Sequence, residues 1–289
     1  MRIELRGRLW RRRGLNPRRF VQVDVFGAGW CRGNPLAVVV DADGMADADM
    51  AALARWTNLS ETAFLLPPTD PAADYRVRIF TPAGELPFAG HPTLGSAWAW
   101  LGAGGRPGTD GVVVQQCGIG LVRVRVDGDT AWFVAPECLR RGPASAGEAS
   151  AVAAALGLAP EALEACEWVD NGPGWIGARV ADLDALYAIT PRASDLAIGV
   201  AAPADDGSAY HVRAFTRGTG GPVEDPVTGS LNASVAQWWV RRGWAVPPYT
   251  VRQGRGVGAD GVVEITRDDA GALWVGGRVR AVIRGTVAL

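Results

Sequence analysis

Apolar and polar residues alternate along "YRVRIF" from Tyr75 and again along "YHVRAF" from Tyr210. A period of two is the signature of a half-buried strand. Each run is followed by a Gly- and Pro-rich loop. Each then passes through X-Pro into an apolar stretch, "PTLGSAWAWL" in the first copy and "PVTGSLNASVAQWW" in the second. Proline suits the first helical position because its missing N–H is not needed there. The pattern therefore predicts strand, loop and helix twice, at a spacing near half of the chain. Tyr75, Arg78, Phe80 and Thr81 match Tyr210, Arg213, Phe215 and Thr216. After a one-residue slip, His91-Pro92 falls on Asp225-Pro226 and Gly95-Ser96 on Gly229-Ser230. Two long copies are not a solenoid; they read as a duplicated domain, with His91 and Asp225 both at helix N-termini.

Elsewhere the chain is rich in Val/Ile runs and alternating stretches: "RRFVQVDVF", "PLAVVV", "GVVVQQ", "LVRVRV", "TAWFVA", "GWIGARV", "LAIGVAA", "YTVRQG", "GVVEIT" and a long C-terminal run from Ala272. Helical patterns outside the repeat are confined to "ADADMAALARWTN", "SAGEASAVAAALGL" and "VADLDALYAI". Many strands and few helices predict an α+β fold, not an alternating βαβ layer. "GIGLVRV" leads into a strand and lacks a third glycine before a helix, so it is no dinucleotide fingerprint.

The chain has 289 residues, of which 48% are hydrophobic, enough for two cores. A basic stretch, residues 1–19, is set apart as an extension. Residues 20–130 and 131–289 are read as the two repeat domains, with the last strand free to return to the first. The net charge of −1 provides no global field for nucleic acid or membrane. There is no apolar run of about 18 residues and no secretory h-region. Cys31, Cys117, Cys138 and Cys166 have no metal-ligand spacing and are read as reduced, mostly buried thiols. Together these features place the protein in the cytoplasm.

Three segments carry candidate chemistry. A helix N-terminus offers unpaired N–H groups and partial positive charge, so two of them would cradle a carboxylate. His91 has an ordinary pKa suited to proton transfer, though a lone histidine is as often structural. Asp225 before proline also reads simply as an N-cap. In "NLSETAF", Glu61 lies between Ser60 and Thr62. A carboxylate taken into apolar surroundings serves as an acid or base near neutral pH, while the plain alternative is a solvent-facing strand residue. Asn34-Pro35 reads as a turn, with a place in the lining of the cleft as the alternative, and His211, inside a strand, as a packing or surface residue.

The ordered set "VDVF…GNPLAVV", "NLSETAF", "FTPAGELPFAGHPTLGSA" and "VEDPVTGS" resembles the phenazine-biosynthesis isomerase (PhzF-like) family from about residue 20 to about residue 265. That family shares the diaminopimelate-epimerase-like fold. The resemblance implies two pseudo-symmetric domains, each a curled, mostly antiparallel sheet around a central helix, with the active site in the cleft between them. It implies a homodimer, a small-molecule carboxylate substrate, no cofactor and no metal. It carries the catalytic roles to Glu61, His91 and Asp225, and substrate contacts to Ser60, Gly90, Gly229 and Ser230. Racemases of this fold use two thiols, and those positions fall on Ala89 and Thr228, neither of which accepts a proton. The implied activity is a cofactor-independent proton shift on a cyclic or unsaturated carboxylate with a single Glu as acid and base. Amino-acid epimerisation and simple carboxylate binding are the alternatives. The chain departs from the family's usual Gly-Arg-Pro near its end, where it has Ala259 and Asp260.

Overall fold

The computed structural model describes residues 16–109, 111–218 and 221–289. Most of the basic extension, residues 1–15, lies outside them. The chain divides into two compact units. The first comprises residues up to Asp24, Pro35–Asp129 and Val279–Leu289. The second comprises Val25–Asn34 and Thr130–Arg278.

The first unit contains β1 (Pro17–Val25, its last residue assigned to the second unit), β2 (Asn34–Val39, its first residue assigned to the second unit), α1 (Asp47–Thr57), β3 (Glu61–Leu66) and β4 (Tyr75–Phe80). It continues with β5 (Glu85–Leu86), α2 (Gly90–Gly102), β6 (Val113–Cys117) and β7 (Gly120–Asp127). β2 runs parallel to β3, β3 antiparallel to β4, and β4 antiparallel to β5 and parallel to β6, which turns back into β7. β1 begins at Pro17, so the last residues of the basic stretch are strand. There Arg19 pairs with Asp41 at 2.6 Å.

The second unit holds β8 (Thr130–Val134), β9 (Arg140–Pro143), α3 (Ala146–Leu156), β10 (Ala165–Asp170), β11 (Trp175–Arg179) and α4 (Leu183–Ala188). Then come β12 (Ala197–Pro203), β13 (Tyr210–Gly218), β14 (Gly221–Asp225), α5 (Gly229–Arg241), β15 (Tyr249–Gln253), β16 (Gly261–Arg267) and the start of β17 (Leu273–Ala288). The ladder repeats the first unit's connectivity. β11 is parallel to β12, β12 antiparallel to β13, and β13 antiparallel to β14 and parallel to β15, which turns back into β16. The duplication legible around the two Tyr-led strands thus extends through most of each unit. The fold is α+β and diaminopimelate-epimerase-like.

The central helices are α2 and α5. Both are apolar around most of their circumference, and such helices sink into a core. Gly90 through Ala97 are buried in α2, and Gly229 through Ala236 with Trp238 and Trp239 in α5. Close seating depends on Gly199 in β12, where an added Cβ would lie 2.3 Å from the Leu231 side chain. The other helices are more peripheral. In α1, Asp47 and Asp49 occupy the positive first turn, and Asn58 ends the helix in the left-handed region at φ 53°. Its buried Met50 and Leu53 pack with Val39, Phe64 and Phe80. α3 opens with a reciprocal Ser145–Glu148 capping box, and with α4 it covers Ile176, Ile198 and Phe215.

One ion pair is repeated with the ladder. Arg78 on β4 meets Glu85 on β5 at 2.6 Å, and Arg213 on β13 meets Glu224 on β14 at 2.8 Å. Each guanidinium also lies over its strand's phenylalanine, Phe80 or Phe215. The second pair is the buried one. Arg213 also donates to the carbonyls of Leu186 and Ile189 at the end of α4.

The cysteines are less enclosed than expected. Cys31 is exposed and the other three are half-buried, all as free thiols. Cys166, in β10, packs against the core that holds Ile176 and Leu186. Among the described residues no helix is long and apolar enough to cross a membrane.

Candidate active site

Each unit carries one half of the expected residue set. In the first, the chain leaves α1 through Asn58, bends at the half-buried Ser60, and enters β3 at Glu61. Parallel pairing with β2 sets Glu61 opposite Leu36 at the strand's start. The Glu61 side chain is 15% exposed, and its Oε2 faces the Nε2 of His91 at 3.3 Å. His91 is the second residue of α2, whose N-cap is Ala89 in extended conformation with no side-chain cap. The first N–H groups of α2, those of Gly90 and His91, have no carbonyl one turn earlier to bond.

His91 is buried. Burial pulls its imidazole down to about 3, opposed by a hydrogen bond to the Pro35 backbone. Proline has no N–H, so that bond runs from the ring to the Pro35 carbonyl. Nε2 makes no hydrogen bond of its own, which leaves Nδ1 as the donor. The ring is thus neutral, with its Nε2 lone pair turned toward the Glu61 carboxyl. That is the arrangement of an acid–base group with a fixed acceptor behind it.

In the second unit, Asp225 requires a correction. It does not cap the following helix. It is the last residue of β14, paired with Ala214 of β13, and the N-cap of α5 is Thr228. The hairpin β13–β14 is longer than β4–β5, and this pushes the helix start back by about one turn. Structurally, Gly90 therefore matches Gly229 and His91 matches Ser230, while Asp225 has no counterpart at the start of α2. Ala89 and Thr228 remain equivalent, both being N-caps.

The Asp225 carboxyl is gripped on both oxygens. Oδ1 accepts from the Asn34 amide at 2.9 Å, and Oδ2 accepts a short bond from the Thr228 hydroxyl. Burial raises its pKa above the ordinary value, against the pull of these two donors. Gln253 ties the surround together. Its Oε1 accepts from the Thr228 N–H and the Asn232 amide, and its Nε2 donates to the Thr228 hydroxyl oxygen and the Asp225 carbonyl. Ser230 is fixed from below. Its Oγ accepts from the Trp175 indole at 3.1 Å and its carbonyl from Asn171 at 2.8 Å. The Ser230 hydroxyl proton stays available to a ligand.

Asn34, Asn171, Trp175 and Gln253 were not among the expected site residues. Asn34 is fully buried and opens β2, so the expected turn gives way to strand at this residue. Its partner Asp225 is distant in sequence, so no local pattern marks it. His211 is a buried strand residue, bonded to Tyr187 and Asp206. Among the described residues no group of three or more His, Cys, Asp or Glu side chains is placed to hold a metal.

The two units differ at one position that matters for chemistry. Glu61 opens β3, the partner of β2, and Ala197 opens β12, the partner of β11. These are equivalent places in the duplicated ladder. Only the first carries a carboxylate.

Comparison with known proteins places the chain in a family. The model of the phenazine biosynthesis-like proteins (PhzC-PhzF) matches residues 23–285. Antisense-enhancing sequence 1 of Schizosaccharomyces pombe is 32% identical, over 92% of this chain and 97% of that protein. A trans-2,3-dihydro-3-hydroxyanthranilate isomerase of Pseudomonas fluorescens is 35% identical, over 78% of this chain and 80% of its own. Among solved structures, a predicted epimerase from Pseudomonas aeruginosa is similar at a TM-score of 0.77 and 30% identity, covering 93% of this chain and 99% of that one.

Proposed function

The chain belongs to the phenazine biosynthesis-like (PhzC-PhzF) family and is an isomerase in the broad sense that includes epimerases, and from that premise we propose a cofactor-independent proton shift on a small cyclic or unsaturated carboxylate. Glu61 is the acid and base. Its carboxylate takes a proton from one carbon, and the C–H electron pair passes into the conjugated system. The same carboxyl then returns the proton to another carbon of that system, on the same face. No atom is gained or lost. His91 supports the protonated state of Glu61 through its neutral Nε2, and Asp225 polarises the substrate. Ser60, Gly90, Gly229 and Ser230 supply substrate contacts, the glycine and serine N–H groups acting on the substrate carboxylate.

The observation that carries this reading is the asymmetry of the repeat. Inversion at carbon by two bases needs a proton carrier on each side. Here the equivalent positions are Glu61 and Ala197, and the two N-caps are Ala89 and Thr228. A single carboxylate suits removal and return of one proton.

The test is turnover in heavy water with trans-2,3-dihydro-3-hydroxyanthranilate and a panel of cyclic and unsaturated carboxylates. Deuterium at a shifted position, lost in E61Q, supports the proposal. Inversion without migration would make the protein an epimerase. Binding without exchange would make it a carboxylate-binding protein. Full turnover by E61Q would remove the role given to Glu61.

A further inference from the structure

A second cluster of charged and titratable side chains lies in the second unit, around a recess of about 330 Å³. His211, buried in β13, stands at its back. Its Nδ1 is 2.7 Å from the Tyr187 hydroxyl and its Nε2 is 2.8 Å from Asp206. A carboxylate only accepts, so Nε2 carries a ring proton toward Asp206. Asp206 is held well below the usual carboxylate range, first by the Ser208 hydroxyl and then by backbone and histidine bonds. The acid of this chain is thereby satisfied within the protein.

Two arginines and a second carboxylate, Asp260, also line the recess. Arg252, at the end of β15, donates to Asp260 at 2.9 Å. Arg255 lies over the Tyr187 ring, 4.8 Å from its centroid, which fixes its direction without neutralising it. Among the described residues Arg255 makes no ion pair. The nearby Glu224 carboxylate, which a Cβ on Gly256 would meet at 2.7 Å, is already matched by Arg213. The floor includes Gln253, the residue that braces Thr228 and Asp225. Ala259 and Asp260, which replace the Arg-Pro expected from the family resemblance, line the same recess.

We propose that this recess is a binding site for a small oxyanion, a carboxylate or phosphate, taken by Arg255 with Arg252, residues to which the proposed proton shift gives no part. A guanidinium presents paired N–H donors that match either group. Asp260 competes with the ligand for Arg252 and so sets the affinity.

The experiment is NMR titration of the full chain with inorganic phosphate and, separately, with malonate and benzoate, observing the Gln253 side-chain amide. Saturable shifts at Gln253 are expected with at least one ion, and the arms distinguish phosphate from carboxylate. R255Q should weaken binding at least tenfold, and D260N should tighten it several-fold by releasing Arg252. Arg255 is exposed, so the R255Q fold is expected to survive, and unchanged amide spectra away from the recess check this. No saturable shift at Gln253, or equal affinity in R255Q, would overturn the site. Weaker anion binding in D260N would overturn the role given to Asp260.

Discussion

The Nε2 of His91 stands 3.3 Å from the Oε2 of Glu61, and the other ring nitrogen is committed to the Pro35 carbonyl. The imidazole is therefore a neutral acceptor. Replacing Glu61 with glutamine keeps the shape but removes the ionisable carboxyl that takes up and releases the proton. E61Q should lose about 10²–10⁴-fold in kcat on whichever carboxylate proves to be turned over, with a melting temperature close to that of the parent. Stopped-time product analysis alongside thermal unfolding checks both halves of the expectation.

The burial of His91 makes stability depend on pH. Its folded pKa is about 3, below the ordinary value of 6.5. The unfolded chain then binds the extra proton between these values, so folding weakens as pH falls through that window. The slope from this residue approaches about 1.4 kcal/mol per pH unit at most. Urea unfolding at a series of pH values from 7 to 4 should show this slope in the parent and a flatter curve in H91Q.

Asn34 donates to Asp225 and to the Val227 carbonyl, both at 2.9 Å. N34D would set two carboxyls against each other in a buried place, and one of them must hold a proton. The raised folded pKa leaves the variant nearest to normal at acid pH and increasingly destabilised as pH rises. At pH 7 the loss should be on the order of 3 kcal/mol. Denaturant midpoints at pH 5 and pH 7 measure the difference.

The repeated ion pair permits a controlled comparison within one chain. Arg213 and Glu224 are each 8% exposed, whereas Arg78 and Glu85 are 22% and 41% exposed. R213M strands a buried carboxylate and the carbonyls at the end of α4, and should cost about 3–5 kcal/mol. R78M breaks the wetter copy and should cost about 0–1 kcal/mol through the Glu85 pair. Equal losses in the two variants would mean that burial does not govern this motif.

Much of this architecture is legible in the chain. Period-two runs mark most strands, and the match of Arg78 with Arg213 points to a pair of ion pairs once the neighbouring glutamates are seen. The short strand around Glu167 and the hairpin partners β5 and β14 were not marked. β5 and β14 are short and carry polar residues or proline, and in ACEWVD the buried face includes Glu167, so the ladder rather than intrinsic preference holds them extended. Asp225 shows where local pattern misleads. Asp-Pro before a glycine-rich apolar run has the form of a helix start, but its carboxyl is claimed by Asn34 across a gap of 191 residues. The supporting side chains Asn171, Trp175 and Gln253 are invisible for the same reason: what they bond is distant in sequence. His91 was legible because its constraint is local, a histidine between glycine and proline in the first turn of an apolar helix.

The path of the polypeptide has a practical outcome. Residues 25–34 are counted with the second unit and residues 279–289 with the first. Phe26 exchanges backbone bonds with Arg278 and Val262, and Asn16 bonds Leu289. A gene split at Asp129 would thus deliver neither half whole. One fragment would lack its closing strand, and the other would lack the segment that brings Asn34 to Asp225. Each fragment would carry a segment that belongs to the other's unit, so complementation would need both present together.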